Sequence, residues 1–95
     1  MKIEKNTLFL KTDNRFFWME RDGRKPYTVR ILNHEEYTDL CNAWLGVNID
    51  TIYIQNADNS AQSFERKILS IVPIGELFGK YLVGIAWKVG KKGND

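Results

Sequence analysis

Gly23-Arg24-Lys25-Pro26-Tyr27-Thr28-Val29-Arg30-Ile31-Leu32 is the stretch on which the fold turns. The glycine closes the element before it, because a helix that ends in a left-handed residue favours glycine there. The proline opens the element after it. Lacking an amide hydrogen to donate, Pro26 belongs at the start of a strand, and Tyr27 to Leu32 then alternate as a strand does. Upstream, Asp13 to Asp22 carries the apolar residues Phe16, Phe17 and Met19, with Glu20 and Arg21 expected on the exposed side, and suits a short amphipathic helix capped from Thr12-Asp13-Asn14. A β-prone run, Thr7-Leu8-Phe9-Leu10-Lys11, leads into it.

Downstream, Asn33 caps a second helix, whose buried stripe is Tyr37, Leu40, Cys41 and Trp44 and whose end is Gly46. Ile49 to Gln55 reads as a strand, and Asn56-Ala57-Asp58-Asn59-Ser60 as a polar turn. Gln62 to Ile71 and Tyr81 to Val89 are two more strands. Pro73 to Gly79 between them is too short for a crossover helix, so the pair is expected to be antiparallel. The fold class is α+β, in the order β-α-β-α-β-β-β. Some five short, mostly antiparallel strands form a curled sheet or partial β-barrel closed by two helices. One domain covers residues 1–90, and Lys91-Lys92-Gly93-Asn94-Asp95 reads as a solvated tail.

Composition narrows the function classes. At 95 residues and 11.1 kDa there is no room for a two-domain enzyme. With 43% hydrophobic and 27% charged residues, the chain has apolar surface enough for one core. The net charge of +2 does not by itself argue for a polyanion partner, but it is unevenly spread: +4 over residues 1–30, −5 over 31–60 and +3 over 61–95. Cys41 is alone, so no intrachain disulfide braces the domain, and the cytoplasm is the default compartment. No apolar stretch approaches the ~20 residues of a bilayer span, so neither a membrane nor secretion is expected.

The densest polar cluster lies in the opening stretch. With a period of two, Thr28 and Arg30 share one face of their strand, and Lys25 stands at its entry. An ammonium, a hydroxyl and a guanidinium converging there would grip an anionic or carbonyl-bearing ligand. A lysine in such a cleft contributes little packing, so its loss is expected to weaken binding and leave the melting temperature nearly unchanged. The alternative reading is an edge strand whose charges discourage sheet-to-sheet association.

Gly-x-Lys-x-x-x-x-Arg directly after an amphipathic helix resembles the signature of the ASCH domain, a small β-barrel family related to the PUA domain. Gly23, Lys25 and Arg30 match that signature, and Thr28 stands where most members have Glu. Threonine at this place is similar to the small bacterial amidohydrolases that deacetylate N4-acetylcytidine, whose Gly-Arg-Lys-x-x-Thr-x-Arg run looks like Gly23 to Arg30. The aromatic helix before it and Ser63-Phe64-Glu65-Arg66-Lys67-Ile68 after it are also similar, so the resemblance covers about two-thirds of the chain; Glu35 to Gly46 lies outside it.

The resemblance implies recognition of RNA or a modified nucleoside in a cleft of the barrel. Lys25, Thr28 and Arg30 would face the ligand, with Arg24, Tyr27 and Trp18 beside them. In the amidohydrolase branch threonine is the nucleophile, lysine its activating base, and a glutamate shuttles protons. Lys25 and Thr28 carry over. The glutamate belongs to an insertion that this chain replaces with Pro73 to Gly79, where Glu76 is the nearest candidate. The leading expectation is a binding module. The alternatives are a minimal amidohydrolase and a small protein-interaction or inhibitor domain of the size found in phages and mobile elements, docking through the acidic middle segment.

No cofactor or metal is expected. His34 and Cys41 are the only histidine and cysteine and have no further donor at an established ligand spacing. Gly75 and Gly79 lack the Gly-Lys-Ser/Thr ending of a phosphate loop. Of the tryptophans and tyrosines, only Tyr27 and Trp18 are expected at the cleft; the others are expected mostly in the core.

Overall fold

A computed structural model describes residues 1–46 and 48–89. The chain runs β1 (Lys2–Glu4), β2 (Thr7–Thr12), α1 (Asn14–Asp22), β3 (Tyr27–Leu32), α2 (His34–Leu45), β4 (Thr51–Asn56), β5 (Asn59–Leu77) and β6 (Lys80–Trp87). Both helices begin and end where the sequence marks them. Asp13 accepts a hydrogen bond from the Arg15 amide at the start of α1, and Gly23 ends it with φ of 90°. Asn33 and Glu36 close a reciprocal capping box at the start of α2.

The strands form one six-stranded sheet in the order β1-β2-β4-β5-β6-β3, antiparallel throughout except for the parallel pair β2 and β4. The architecture is α+β, and the sheet is not closed into a barrel. Three expectations are corrected. A first strand, β1, precedes those anticipated and pairs only with Thr7 to Phe9 of β2. The described residues therefore form six strands rather than five. The segment Pro73 to Gly79 is not a separate connection: β5 runs unbroken through Leu77, and only Phe78 and Gly79 turn, with φ of 52° and 75°. Positive φ at both central residues suits a tight hairpin whose twist matches its strands.

Pro73 is tolerated within β5 for a local reason. β4 pairs with β5 only between Asn59 and Lys67, so beyond that point β5 has a partner on one side alone. A residue without an amide hydrogen costs no ladder bond at a free edge, and the register also slips between Pro73 and Gly75.

The core lies between the helices and one face of the sheet. Phe17 from α1, Leu40 from α2, Leu8, Ile52 and Ile54 from β2 and β4, and Val83, Ile85 and Trp87 from β6 are all buried. In the predicted stripe of α2 Leu40 is buried, whereas Tyr37, Cys41 and Trp44 are half-buried. Of the apolar residues of α1 only Phe17 is fully inside; Phe16, expected to pack, is 38% exposed. No helix is long and apolar enough to cross a membrane among the described residues. The proposed tail, residues 91–95, lies outside the described residues.

Candidate functional site

The open side of the sheet faces edge strand β3. β1 covers only the first half of β2, which leaves Lys11 and Thr12 without a strand neighbour on that side. The Arg30 side chain crosses to them. Its Nη1 donates to the Lys11 carbonyl at 2.7 Å, its Nη2 to Thr12 Oγ1 at 2.7 Å, and its Nε to Thr28 Oγ1 at 3.0 Å. One guanidinium therefore straps the end of β2 to β3 where no backbone ladder does.

A cleft of ≈ 390 Å³ lies beside this strap, lined by residues of β2, α1 and β3 and by Lys25. The alternation of β3 turns Thr28 inward, where it is 4% exposed. Tyr27, on the alternate face of the strand, is 49% exposed and still reaches the rim of the cleft. Lys25 enters from the turn after α1, its amide donating to the Met19 carbonyl. Its ammonium donates to Glu20 Oε2 at 2.9 Å and to the Tyr27 carbonyl at 3.1 Å. The same nitrogen lies 5.3 Å from the centre of the Phe16 ring and 5.0 Å from that of Tyr27, within cation–π range of both.

Glu20 corrects the sequence reading most. Expected on the exposed side of α1, it is 1% exposed. Its Oε1 accepts from the Thr12 hydroxyl at 3.0 Å, and its Oε2 holds Lys25. The signal was present in the spacing: Glu20 follows Phe17 by three residues, and in a helix that places the two on one face. Its charge had assigned it to solvent, yet a buried carboxylate is tolerated once it is paired and hydrogen-bonded. Lys11, Thr12, Asp13, Phe16 and Val29 are the other lining residues that the sequence reading did not single out for the site. Burial pushes the Arg30 guanidinium below its usual range, and the charges of Glu20 and Asp13 oppose that shift.

Lys25, Tyr27, Thr28 and Arg30, four of the residues singled out from the sequence, line one cleft. Other candidates fall elsewhere. Arg24 is exposed beside it, ion-paired with Asp22 at 2.8 Å. Trp18 faces a different depression with Arg21, Gln62 and Ser63, its indole donating to Asn14. Glu76 pairs across the β5–β6 hairpin with Tyr81 and is not among the residues that line the cleft. The ammonium of Lys25 and the hydroxyl of Thr28 share no hydrogen bond; each is held by a different charged partner.

A larger hollow, ≈ 510 Å³, lies on the other side of Arg30 and is walled by Phe9, Leu10, Leu32 and Tyr53, with Lys2 and Lys11 at its margin. Fewer polar groups converge there. His34 meets Tyr81 at 3.2 Å, and no group of three side chains able to hold a metal ion occurs among the described residues. No protein-family model matches the chain, and no curated protein and no solved structure is significantly similar to it.

Proposed function

We propose that the chain is a PUA-like, ASCH-type binding module that takes a nucleobase, free as a modified nucleoside or within RNA, into the cleft between β2, α1 and β3. The observation that carries this reading is the seating of the Lys25 ammonium between the exposed Phe16 and Tyr27 rings, above a floor of Thr12, Glu20, Thr28 and Arg30. Aromatic faces at the mouth suit stacking, and hydroxyls with charged groups in the floor suit the edge of a base. Titration calorimetry with cytidine, N4-acetylcytidine and a short single-stranded RNA tests it. Tyr27→Ala should weaken binding roughly 5- to 150-fold if a base stacks on the ring, the equivalent of ~1–3 kcal/mol. Affinity that falls linearly on a logarithmic salt axis identifies a polymer held through its phosphates, whereas a nucleoside held by hydrogen bonds responds little. Binding by none of the three ligands removes the reading.

One observation favours a second reading, a minimal amidohydrolase: a carboxylate, Glu20, does lie within hydrogen-bond reach of Lys25. Thr28 Oγ1 would attack the acetyl carbonyl, releasing cytidine and leaving an acyl-threonine for water to cleave. This reading ranks second because the Thr28 hydroxyl accepts from Arg30 and has no bond to Lys25. Chromatography of N4-acetylcytidine incubated with the protein decides it. Cytidine released by wild type and by Thr28→Ser but not by Thr28→Ala supports the enzyme; no release above buffer removes it for this substrate.

A further inference from the structure

An antiparallel sheet with one face on a core normally turns polar residues to solvent on the other. The β4 side of this sheet obeys: Thr51, Gln55, Glu65 and Lys67 lie away from the core. The β3–β6–β5 side does not. Both helices occupy the inner face, where Phe17 meets Phe64 and Tyr37 stacks on Tyr81 at 4.2 Å. On the outer face the register sets Val29 beside Gly84 and Gly84 beside Val72, with Ile31 beside Leu82 and Tyr27 beside Ala86. Ile74 lies over Gly84, its Cδ1 3.2 Å from where a Cβ on that glycine would stand.

None of these residues is charged, and the large ones are open: Val29 is 49% exposed, Ile31 67%, Val72 51% and Ile74 57%. The face continues to the hairpin tip, where Phe78 is 93% exposed. A contiguous apolar patch of this extent marks a site of protein association.

We propose that this outer face is the interface of a homodimer, in which the β3–β6–β5 sheets of two copies pack face to face. Two properties select a second copy over a partner of another sequence. A two-fold axis sets a patch against itself, so any central charge would meet its like; this patch has none at its centre, and Lys80, beside Leu77 at the hairpin end, lies at its margin. With Leu77 and Phe78 included, the exposed side chains offer on the order of 800 Å², what one partner contributes to an interface of standard size. Sheets packed in this way lie ~10 Å apart, a separation that aliphatic side chains such as Val72 and Ile74 fill. The proposal does not depend on what the cleft binds, although Tyr27 and Val29 stand at the border of both surfaces.

Sedimentation equilibrium of the full chain from low-micromolar to sub-millimolar concentration tests the proposal. The expected result is a species of twice 11.1 kDa whose dissociation constant rises at least about tenfold in Val72→Lys and in Ile74→Lys. Circular dichroism checks that each variant is folded. If lysine is not tolerated, Ile74→Ser makes the same comparison at a half-exposed position with less disruption. A wild-type chain that is monomeric throughout the range overturns the proposal and leaves the face to a partner of another sequence. A dimer that folded variants do not weaken overturns it as well, since association must then use another surface.

Discussion

Removing the Lys25 ammonium should destabilise the fold, contrary to what a cleft lysine suggests from sequence alone. The reason is Glu20. Its carboxylate is 1% exposed and has two partners, the Thr12 hydroxyl at 3.0 Å and Lys25 at 2.9 Å. In Lys25→Ala one hydrogen bond remains, and the buried carboxylate loses its directly bonded counter-ion, keeping only the Arg30 guanidinium that acts on it without a hydrogen bond. Breaking a buried pair from one side costs ~3–5 kcal/mol, and the low end applies here because the Lys25 side chain is 22% exposed and water can reach part of its place. About 3 kcal/mol in a domain of this size lowers the melting temperature by roughly 12–24 °C.

Glu20→Gln is milder. It keeps the volume and a neutral hydrogen bond, and the partly exposed ammonium can hydrate, so the loss should be about 1–2 kcal/mol. Combining Glu20→Gln with Lys25→Ala should cost less than the two single losses added, since the groups are in direct contact. Urea unfolding at neutral pH, followed by the fluorescence of buried Trp87, measures all three variants. A Lys25→Ala protein within ~0.5 kcal/mol of wild type would refute the reasoning, because it would mean that the carboxylate does not depend on the lysine.

Three further outcomes are expected. Gly23→Ala should cost about 1–2 kcal/mol for its left-handed backbone at φ 90°, and more where the new Cβ would meet Val89 Cγ1 at 2.6 Å; thermal unfolding reads the loss. Asn33→Ala removes the side chain that accepts from the Glu36 amide and should lower stability by ~1 kcal/mol in the same assay, while Asn33→Gly loses only a few tenths. Asp22, held by the Arg24 side chain and amide, should titrate below its ordinary 3.8. A carboxyl depressed in the folded state contributes stability that is present above its unfolded value and lost as pH falls through the folded one, so this contribution disappears below about pH 3.8. NMR titration of Arg24→Ala should move the Asp22 midpoint back up toward 3.8; an unmoved midpoint would assign the depression to another group.

The elements that the sequence disclosed are those with local punctuation. Gly23 and Pro26 mark the passage from α1 to β3, and Asn33 with Glu36 marks the start of α2, because caps and proline act within a few residues. What stayed hidden depends on distant partners. The long β5 was obscured because Pro73 and Gly75 read as breakers unless it is known that β5 has one free edge there. β2 and β4 pair in parallel across two helices and a strand that joins the far edge of the sheet, an arrangement that no local signal specifies. In the cleft, period two correctly brought Thr28 and Arg30 to one side, whereas Glu20 was misassigned by its charge and Trp18 by its position on the helix leading to the site.

The hydrogen bonds of the cleft also bear on what it can hold. The Lys25 ammonium is already matched by Glu20 and the Tyr27 carbonyl, and the Arg30 guanidinium by Thr28, Thr12 and the Lys11 carbonyl. A phosphate entering here would have to compete with a buried carboxylate and with the strap joining β2 to β3, and loosening that strap opens the edge of the sheet. A neutral base displaces neither. Thr12 uses its hydroxyl hydrogen on Glu20, whereas among the described residues Thr28 accepts from Arg30 and donates to none, so its own hydrogen is left to donate. A donor polarised by a neighbouring guanidinium, in a cleft that Phe16 and Tyr27 also line, would be matched by a carbonyl on a flat, stacked ring system. The carbonyl of a pyrimidine, or that of an acyl group on its exocyclic nitrogen, meets both demands, and so the floor of the cleft argues for a nucleobase over a phosphate.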